Sequence, residues 1–175
     1  MSEKNFIGYE YISVDARKSM SSVYIDGYEN FGWQLEGTEN PAGSVDTITL
    51  KFKRDRKITN KAELTRLQRN FDACVQEILS LESSKRTKAM IAALCVGVAG
   101  TAFMAGSVFC VTSGLILPCI ILAIPAFAGW AAPYFLFRNI FRKRAAEVTP
   151  LIDQKYDEIY SICEKANALA GTKNA

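Results

Sequence analysis

Side chains that could carry chemistry are few in this chain, and they are not grouped. The 175 residues include five cysteines and no histidine, which removes the commonest general base and the commonest transition-metal ligand. Four carboxylates of the N-terminal part, Asp15, Asp26, Glu29 and Asp46, have neither metal-ligand spacing nor a partner nucleophile. We therefore expect no catalytic residue, no cofactor and no metal, and we interpret these carboxylates as solubilising and helix-end charges.

The dominant feature of the chain is an uncharged block. Residues 89–137 contain no Asp, Glu, Lys or Arg over 49 positions, with Thr112-Ser113-Gly114 near the middle. About 20 apolar residues cross the roughly 30 Å hydrocarbon core of a bilayer, so each half is long enough to span it. We predict transmembrane helices at 89–112 and 115–137, joined by an external turn at 113–114.

Basic residues flank this block on both sides and are absent from its turn. The seven cations are Lys85, Arg86, Lys88, Arg138, Arg142, Lys143 and Arg144. The positive-inside rule then places the protein in the cell membrane as a two-span chain with both termini cytoplasmic. Such cations attract anionic headgroups, and the net charge of +3 is modest. We expect membrane lipids as partners and no nucleic acid.

Small residues in the spans predict close helix packing. Ala93, Gly97, Thr101 and Ala105 recur every four positions in the first span, which lets another helix approach, and the second span is the expected partner. A second set, Ala102, Gly106 and Cys110, leaves homo-oligomerisation open. The block has no ionisable group of the kind that transporters and proton pumps place in the bilayer.

The residues before the block predict a small domain. Mixed aromatic and β-branched residues at 6–14, and alternating apolar residues at 45–54, are typical of strands. A helical pattern at 17–31 and an extended run at 33–35 lie between them. The predicted fold class is therefore α+β: a cytoplasmic β-α-β-β domain at 1–58, followed by a long antiparallel helical hairpin whose tip is the two spans.

A short motif in this domain resembles a known group. Gly32-Trp33-Gln34-Leu35, after a tyrosine-rich strand and a helix, resembles the Gly-Trp-Glu-Leu hallmark of a small bacterial domain of unknown function, with Gln34 in place of Glu. The whole chain also resembles uncharacterised two-span membrane proteins of Gram-positive bacteria. The resemblance implies a fold and a membrane location and transfers no functional residue. From the residues alone, Gly32 ends the helix and Trp33 fills the small core.

Two amphipathic segments, 59–88 and 138–170, flank the spans and are called the stalk. The stalk seam consists of apolar residues at heptad-like spacing: Leu64, Leu67, Phe71, Cys74, Ile78, Ile152, Tyr156, Ile159 and Cys163. We expect antiparallel pairing, with facing residue numbers that sum to about 227 and a helix restart at Pro150 with Thr149 as N-cap. The alternative is that both segments pack on the N-terminal domain. Residues 171–175 are expected to be a disordered tail.

Taken together, these patterns indicate a non-enzymatic integral membrane protein that anchors a cytoplasmic interaction module. A cytoplasmic protein is the expected partner, with Tyr9, Tyr11 and the basic residues of 51–57 as the candidate surface. The alternative is an oligomeric pore or membrane-perturbing protein that uses the face of Ala102, Gly106 and Cys110. Copy number in the membrane distinguishes the two.

Overall fold

The computed structural model describes residues 8–171 except 42, 113 and 115. The elements are β1 (Tyr9–Arg17), a 3-10 turn (Lys18–Met20), α1 (Ser21–Glu29), β2 (Gln34–Glu39), β3 (Thr47–Asp55), α2 (Lys61–Thr112) and α3 (Ile116–Gly171). This order confirms the α+β class, with a β-α-β-β segment followed by a hairpin of two long helices. Phe6 and Ile7 of the predicted first strand, Ser113 of the predicted turn and residues 172–175 of the predicted tail lie outside the described residues.

The three strands form one antiparallel sheet in the order β1-β3-β2. Tyr11 pairs with Lys53 and Ser13 pairs with Lys51 across β1 and β3. The register between β2 and β3 shifts between Leu35 and Gly37. The basic strand is therefore the centre of the sheet, and β1 and β2 are its edges.

The structure divides into two compact units, of which the first contains the sheet. This unit joins the residues up to Gln76 to those from Lys155 onwards. Tyr28 of α1 stacks on Phe52 of β3 with 4.8 Å between ring centroids, and Phe71 of α2 meets Tyr28 edge-on at 6.0 Å. Phe52 and Phe71 have no exposed surface. Because α2 supplies part of this core, the unit extends beyond the predicted 1–58 domain, and the packing left as an alternative is present.

The predicted roles of Gly32 and Trp33 are confirmed. Gly32 has φ +80°, and its N–H donates to the Glu29 carbonyl at 2.9 Å while the Trp33 N–H donates to the Tyr28 carbonyl at 3.1 Å. These two bonds are a Schellman motif, which ends a helix by a left-handed residue that glycine adopts without strain. The Trp33 side chain that follows is buried.

The second unit, Glu77–Gln154, consists of the apolar halves of α2 and α3. Gly114 between them has φ +74°, the left-handed conformation expected at the turn. The predicted restart at Pro150 is wrong, because α3 continues through this residue. Pro150 removes one N–H donor from the helix, and the Thr149 hydroxyl donates to the Ala145 carbonyl at 2.7 Å in the same turn.

Candidate membrane interface and docking surface

The second unit exposes its apolar side chains. The most apolar 18-residue windows of the two helices are 11% and 6% buried, whereas a core helix of a soluble domain buries its apolar stripe. Large exposed side chains occur on both helices, and they include Leu94, Phe109, Ile124, Trp130 and Phe135. Both helices are thus long and apolar enough to cross a membrane, and they present that apolar surface outwards.

The uncharged lengths match a bilayer. Residues 89–112 rise about 36 Å and residues 116–137 about 33 Å at 1.5 Å per residue, against roughly 30 Å of hydrocarbon. Gly100 lies against Gly129, so antiparallel neighbours have numbers that sum to about 229 and Lys88 is level with Phe141 and Arg142. The basic residues before and after the block therefore meet at one end of the apolar segment.

Most of these cations are available to a headgroup layer. Arg86, Lys88, Arg138, Arg142 and Lys143 are exposed, whereas Lys85 and Arg144 are half-buried. Arg144 forms an ion pair with Glu147 at 2.7 Å, one turn further along α3.

The helix contact in the second unit differs from the predicted stripe. Gly97 and Ala93 are half-buried, but Thr101 and Ala105 are exposed, and the Thr101 hydroxyl donates to the Gly97 carbonyl of its own helix at 3.0 Å. A strict four-residue repeat rotates away from a 3.6-residue helix, so its later members leave the interface. Among the residues of this unit whose burial is described, the buried small ones are Ala89, Gly100, Ser107 and Ala126.

Gly100 and Gly129 form a close contact that the sequence analysis did not predict. A Cβ added at Gly129 would lie 2.6 Å from the Gly100 Cα, so the two backbones touch. The sequence signal was available, because glycines stand in both spans at nearly equal distance from Gly114. Gly106 of the second stripe also faces the hairpin, since a Cβ there would lie 3.7 Å from Leu122.

Most residues of the predicted stalk seam are buried. Seven seam residues are buried and two, Tyr156 and Cys163, are half-buried; the buried ones are Leu64, Leu67, Phe71, Cys74, Ile78, Ile152 and Ile159. Leu67 and Ile162 line an open groove of about 580 Å³ between α2 and α3, and charged side chains also line this groove. Phe71, Ile159 and Cys163 line a cavity of about 150 Å³ beside Gly27 of α1. Burial raises the pKa of the Cys163 thiol.

A buried arginine of β3 joins β1 to the segment between α1 and β2. The Arg54 side chain is 3% exposed and donates to the Glu10 carboxylate from Nε at 2.7 Å and to the Phe31 carbonyl from Nη1 at 3.1 Å. Its guanidinium lies over the Trp33 ring at 4.2 Å, and Lys61 also donates to Glu10. Burial acts to raise the pKa of Glu10, but the hydrogen bonds and charges of Lys61 and Arg54 outweigh it and lower the pKa.

Two more polar contacts join α2 to α1 and to Trp33, the residue before β2. The Trp33 Nε1–H donates to Gln68 Oε1 at 2.9 Å, and the Tyr28 hydroxyl donates to Asp72 Oδ1 at 3.1 Å. Burial raises the pKa of Asp72, against a smaller opposing contribution from the Tyr28 hydrogen bond. These side chains therefore satisfy one another inside the domain.

Of the predicted docking surface, Tyr9, Tyr11, Lys51 and Lys53 lie on the open face of the sheet, whereas Arg54 is buried. Tyr9 and Tyr11 are 44% and 64% exposed, and the Lys53 ammonium lies 5.8 Å from the Tyr9 ring centroid. The basic residues of this face are largely matched by acidic ones, because Lys51 pairs with Glu39 and Lys53 lies 3.9 Å from Glu36. The face is consequently aromatic and close to neutral rather than strongly basic.

Comparison of the chain with protein-family models, curated proteins and solved structures finds no match. The resemblance of residues 32–35 to a bacterial domain stays a prediction. Over residues 8–171 with the gaps given above, no cluster of three or more His, Cys, Asp or Glu is placed to hold a metal ion.

Proposed function

We propose that this protein is a non-enzymatic, two-span membrane protein that anchors a cytoplasmic interaction module at the inner face of the cell membrane. The observation that carries the proposal is the apolar surface of α2 and α3, which is exposed along two bilayer lengths. Water would oppose exposure of so much apolar surface, whereas lipid tails solvate it.

The orientation follows from charge. All seven boundary cations lie at the end of the hairpin remote from Gly114, and the turn residues 112–114 have no charge. Each cation gains about 1 kcal/mol beside an anionic leaflet, and cytoplasmic loops carry the excess of Lys and Arg. Both termini, and with them the sheet, then lie in the cytoplasm.

The interaction role rests on the first unit. Its polar groups Arg54 and Gln68, which are buried, and Asp72, which is half-buried, bind other side chains of the domain, so they support its structure. Its exposed sheet carries Tyr9 and Tyr11, residue types that are enriched in protein interfaces. A cytoplasmic protein is the proposed partner, and anionic lipids are the proposed ligands of the boundary.

The pore alternative has less support, because Gly106 of its proposed interface already faces Leu122 of the same hairpin. Two measurements test the choice. Alkaline carbonate washing of membranes should leave the protein in the pellet, and native mass spectrometry from nanodiscs should give one or two copies. Release by carbonate would contradict the membrane proposal, and a ring of four or more copies would favour the pore.

A further inference from the structure

Among the described residues, no strand pairs with the outer side of β1. The Arg56 N–H donates to the Gly8 carbonyl and the Lys18 N–H donates to the Asp46 carbonyl, each at 3.0 Å. In an antiparallel ladder the residues that exchange hydrogen bonds alternate along a strand. Even-numbered residues of β1 therefore face β3, and the N–H and C=O groups of the odd-numbered residues point away from the sheet: Tyr9, Tyr11, Ser13, Asp15 and Arg17.

The two edges of this sheet are built differently. Among the described residues, β2 is a six-residue edge strand with a register shift and two glutamates, Glu36 and Glu39. Short length, bulges and charge are the devices by which proteins protect edges from further pairing. β1 runs for nine residues in unbroken register with β3 and contains no proline, so it lacks the short length and the register shift of β2. Its charged residues are Glu10, Asp15 and Arg17.

The core side of β1 is also incompletely covered. Leu50 and Phe52 in the neighbouring β3 have no exposed surface, whereas Ile12 and Val14 are half-buried although they point to the same face. An added strand would cover both side chains. An extended chain can hydrogen-bond to this edge, because its backbone N–H and C=O groups are free to pair with those of β1. A helix cannot, since its backbone groups bond to one another.

We propose that the open edge of β1 binds an extended segment of a cytoplasmic protein as a fourth strand. The segment has apolar, β-branched side chains beside Ile12 and Val14, and uncharged polar side chains beside Ser13 on the open face. Asp15 and Arg17 offset each other in charge, so the edge selects a segment that is close to neutral. This proposal rests on the proposed function only in placing the partner in the cytoplasm.

Hydrogen exchange of the full-length protein in nanodiscs tests the proposal. The probe is a terminally blocked peptide of alternating threonine and valine with a lysine at one end and a glutamate at the other, so that its net charge is zero. In the free protein, the amides of Tyr11, Ser13 and Asp15 should exchange on the order of 100-fold faster than those of Ile12 and Val14. Bound peptide should slow the first set at least about tenfold, because it supplies their acceptors.

Ser13 offers a matched pair of variants. Ser13→Pro removes an N–H that makes no bond to β3, a position where an edge strand accepts proline, and it should weaken peptide binding at least about tenfold. Ser13→Ala keeps the N–H and should bind within about twofold of the wild type. If the amides of Ile12 and Val14 lose protection in Ser13→Pro, the variant has not folded. The proposal is then decided by whether the peptide slows exchange of the odd-numbered β1 amides in the wild type.

Three results would overturn the proposal. They are peptide protection confined to β2 or absent, equal binding by Ser13→Pro and Ser13→Ala, or odd-numbered β1 amides that are already protected in a concentration-dependent way by a second copy. Release of the protein from membranes by carbonate would refute the proposed function and leave this exchange pattern unchanged, so the two failures are distinguishable.

Discussion

Gly129→Ala should separate the two apolar helices. A Cβ at this position would lie 2.6 Å from the Gly100 Cα and 3.3 Å from the Gly100 nitrogen, whereas ordinary contact begins at 3.4 Å. The obstructing atoms belong to backbone, so the helices must move apart by about 1 Å to restore normal contact. Overpacking of this kind costs about 1–3 kcal/mol, and alanine recovers up to about 1 kcal/mol of helix propensity. We expect a net loss of about 1–2 kcal/mol.

Gly97→Ala is the matched control, because its Cβ would meet the Pro133 Cγ at 3.9 Å, which is ordinary contact. The assay is the loss of helix contact in mixed micelles as the denaturing detergent fraction rises, followed by energy transfer between probes on α2 and α3. Gly97→Ala should unfold at the wild-type detergent fraction or above it, and Gly129→Ala clearly below it. Indistinguishable midpoints for the two variants would refute the close contact of Gly100 with Gly129.

Two carboxylates of the first unit should show opposite pH dependence. Glu10→Gln should destabilise the protein by about 3 kcal/mol at neutral pH, because it leaves the buried Arg54 without its charged partner. The pKa of Glu10 is lowered in the folded state. The stability difference between wild type and Glu10→Gln is therefore complete above the unfolded-state pKa and disappears as pH falls through the folded-state pKa. Thermal melts between about pH 3 and pH 7 that show no such change would contradict this. Asp72→Asn should raise the melting temperature at neutral pH, because burial raises the pKa of Asp72 and an amide oxygen can still accept from Tyr28. The increase in stability should grow as pH rises from about 4 and should level off above the pKa of Asp72 in the folded state. A loss of stability in Asp72→Asn at neutral pH would instead show that the charge of Asp72 is favourable.

Sequence patterns predicted the elements of this fold well where one local signal dominates. The uncharged run at 89–137 gave two long apolar helices, and alternation at 45–54 gave β3. Gly32 correctly predicted the end of α1, because a helix often ends at a residue with positive φ and glycine adopts that conformation without strain. Such features depend on residues close together in the chain.

Features that depend on distant residues were not predicted. The central position of β3 follows from which strands pair, and the alternation of a strand does not contain that information. The contact of Gly100 with Gly129 can be predicted only if the register of the two helices is known. The numbers of facing residues were expected to sum to about 227, whereas the observed sum is about 229, a shift of two residues. The stack of Arg54 on Trp33 joins residues 21 positions apart in sequence, and a single chain has no local pattern that marks it.

The continuity of α3 through Pro150 has a physical explanation. The rule that proline disfavours a helix interior considers only neighbouring residues and leaves out the packing of the rest of the helix. Proline in a helix interior costs about 3 kcal/mol, and that cost favoured a restart. Burial of Val148, Ile152, Ile159 and Ile162 on one side of the same helix opposes it, at about 1.5–3 kcal/mol for each fully buried side chain. Packing over several turns therefore outweighs a single unfavourable residue.

The central claim is that the hairpin crosses the membrane with its turn outside and both ends inside. Single cysteines at exposed positions test it directly: Thr112→Cys beside the turn, Ser22→Cys on α1 and Asn167→Cys near the end of α3, each in a background without the five native cysteines. A membrane-impermeant maleimide should label Thr112→Cys in intact cells and should label Ser22→Cys and Asn167→Cys only after permeabilisation. Labelling of Ser22→Cys or Asn167→Cys in intact cells, with Thr112→Cys protected, would contradict the account.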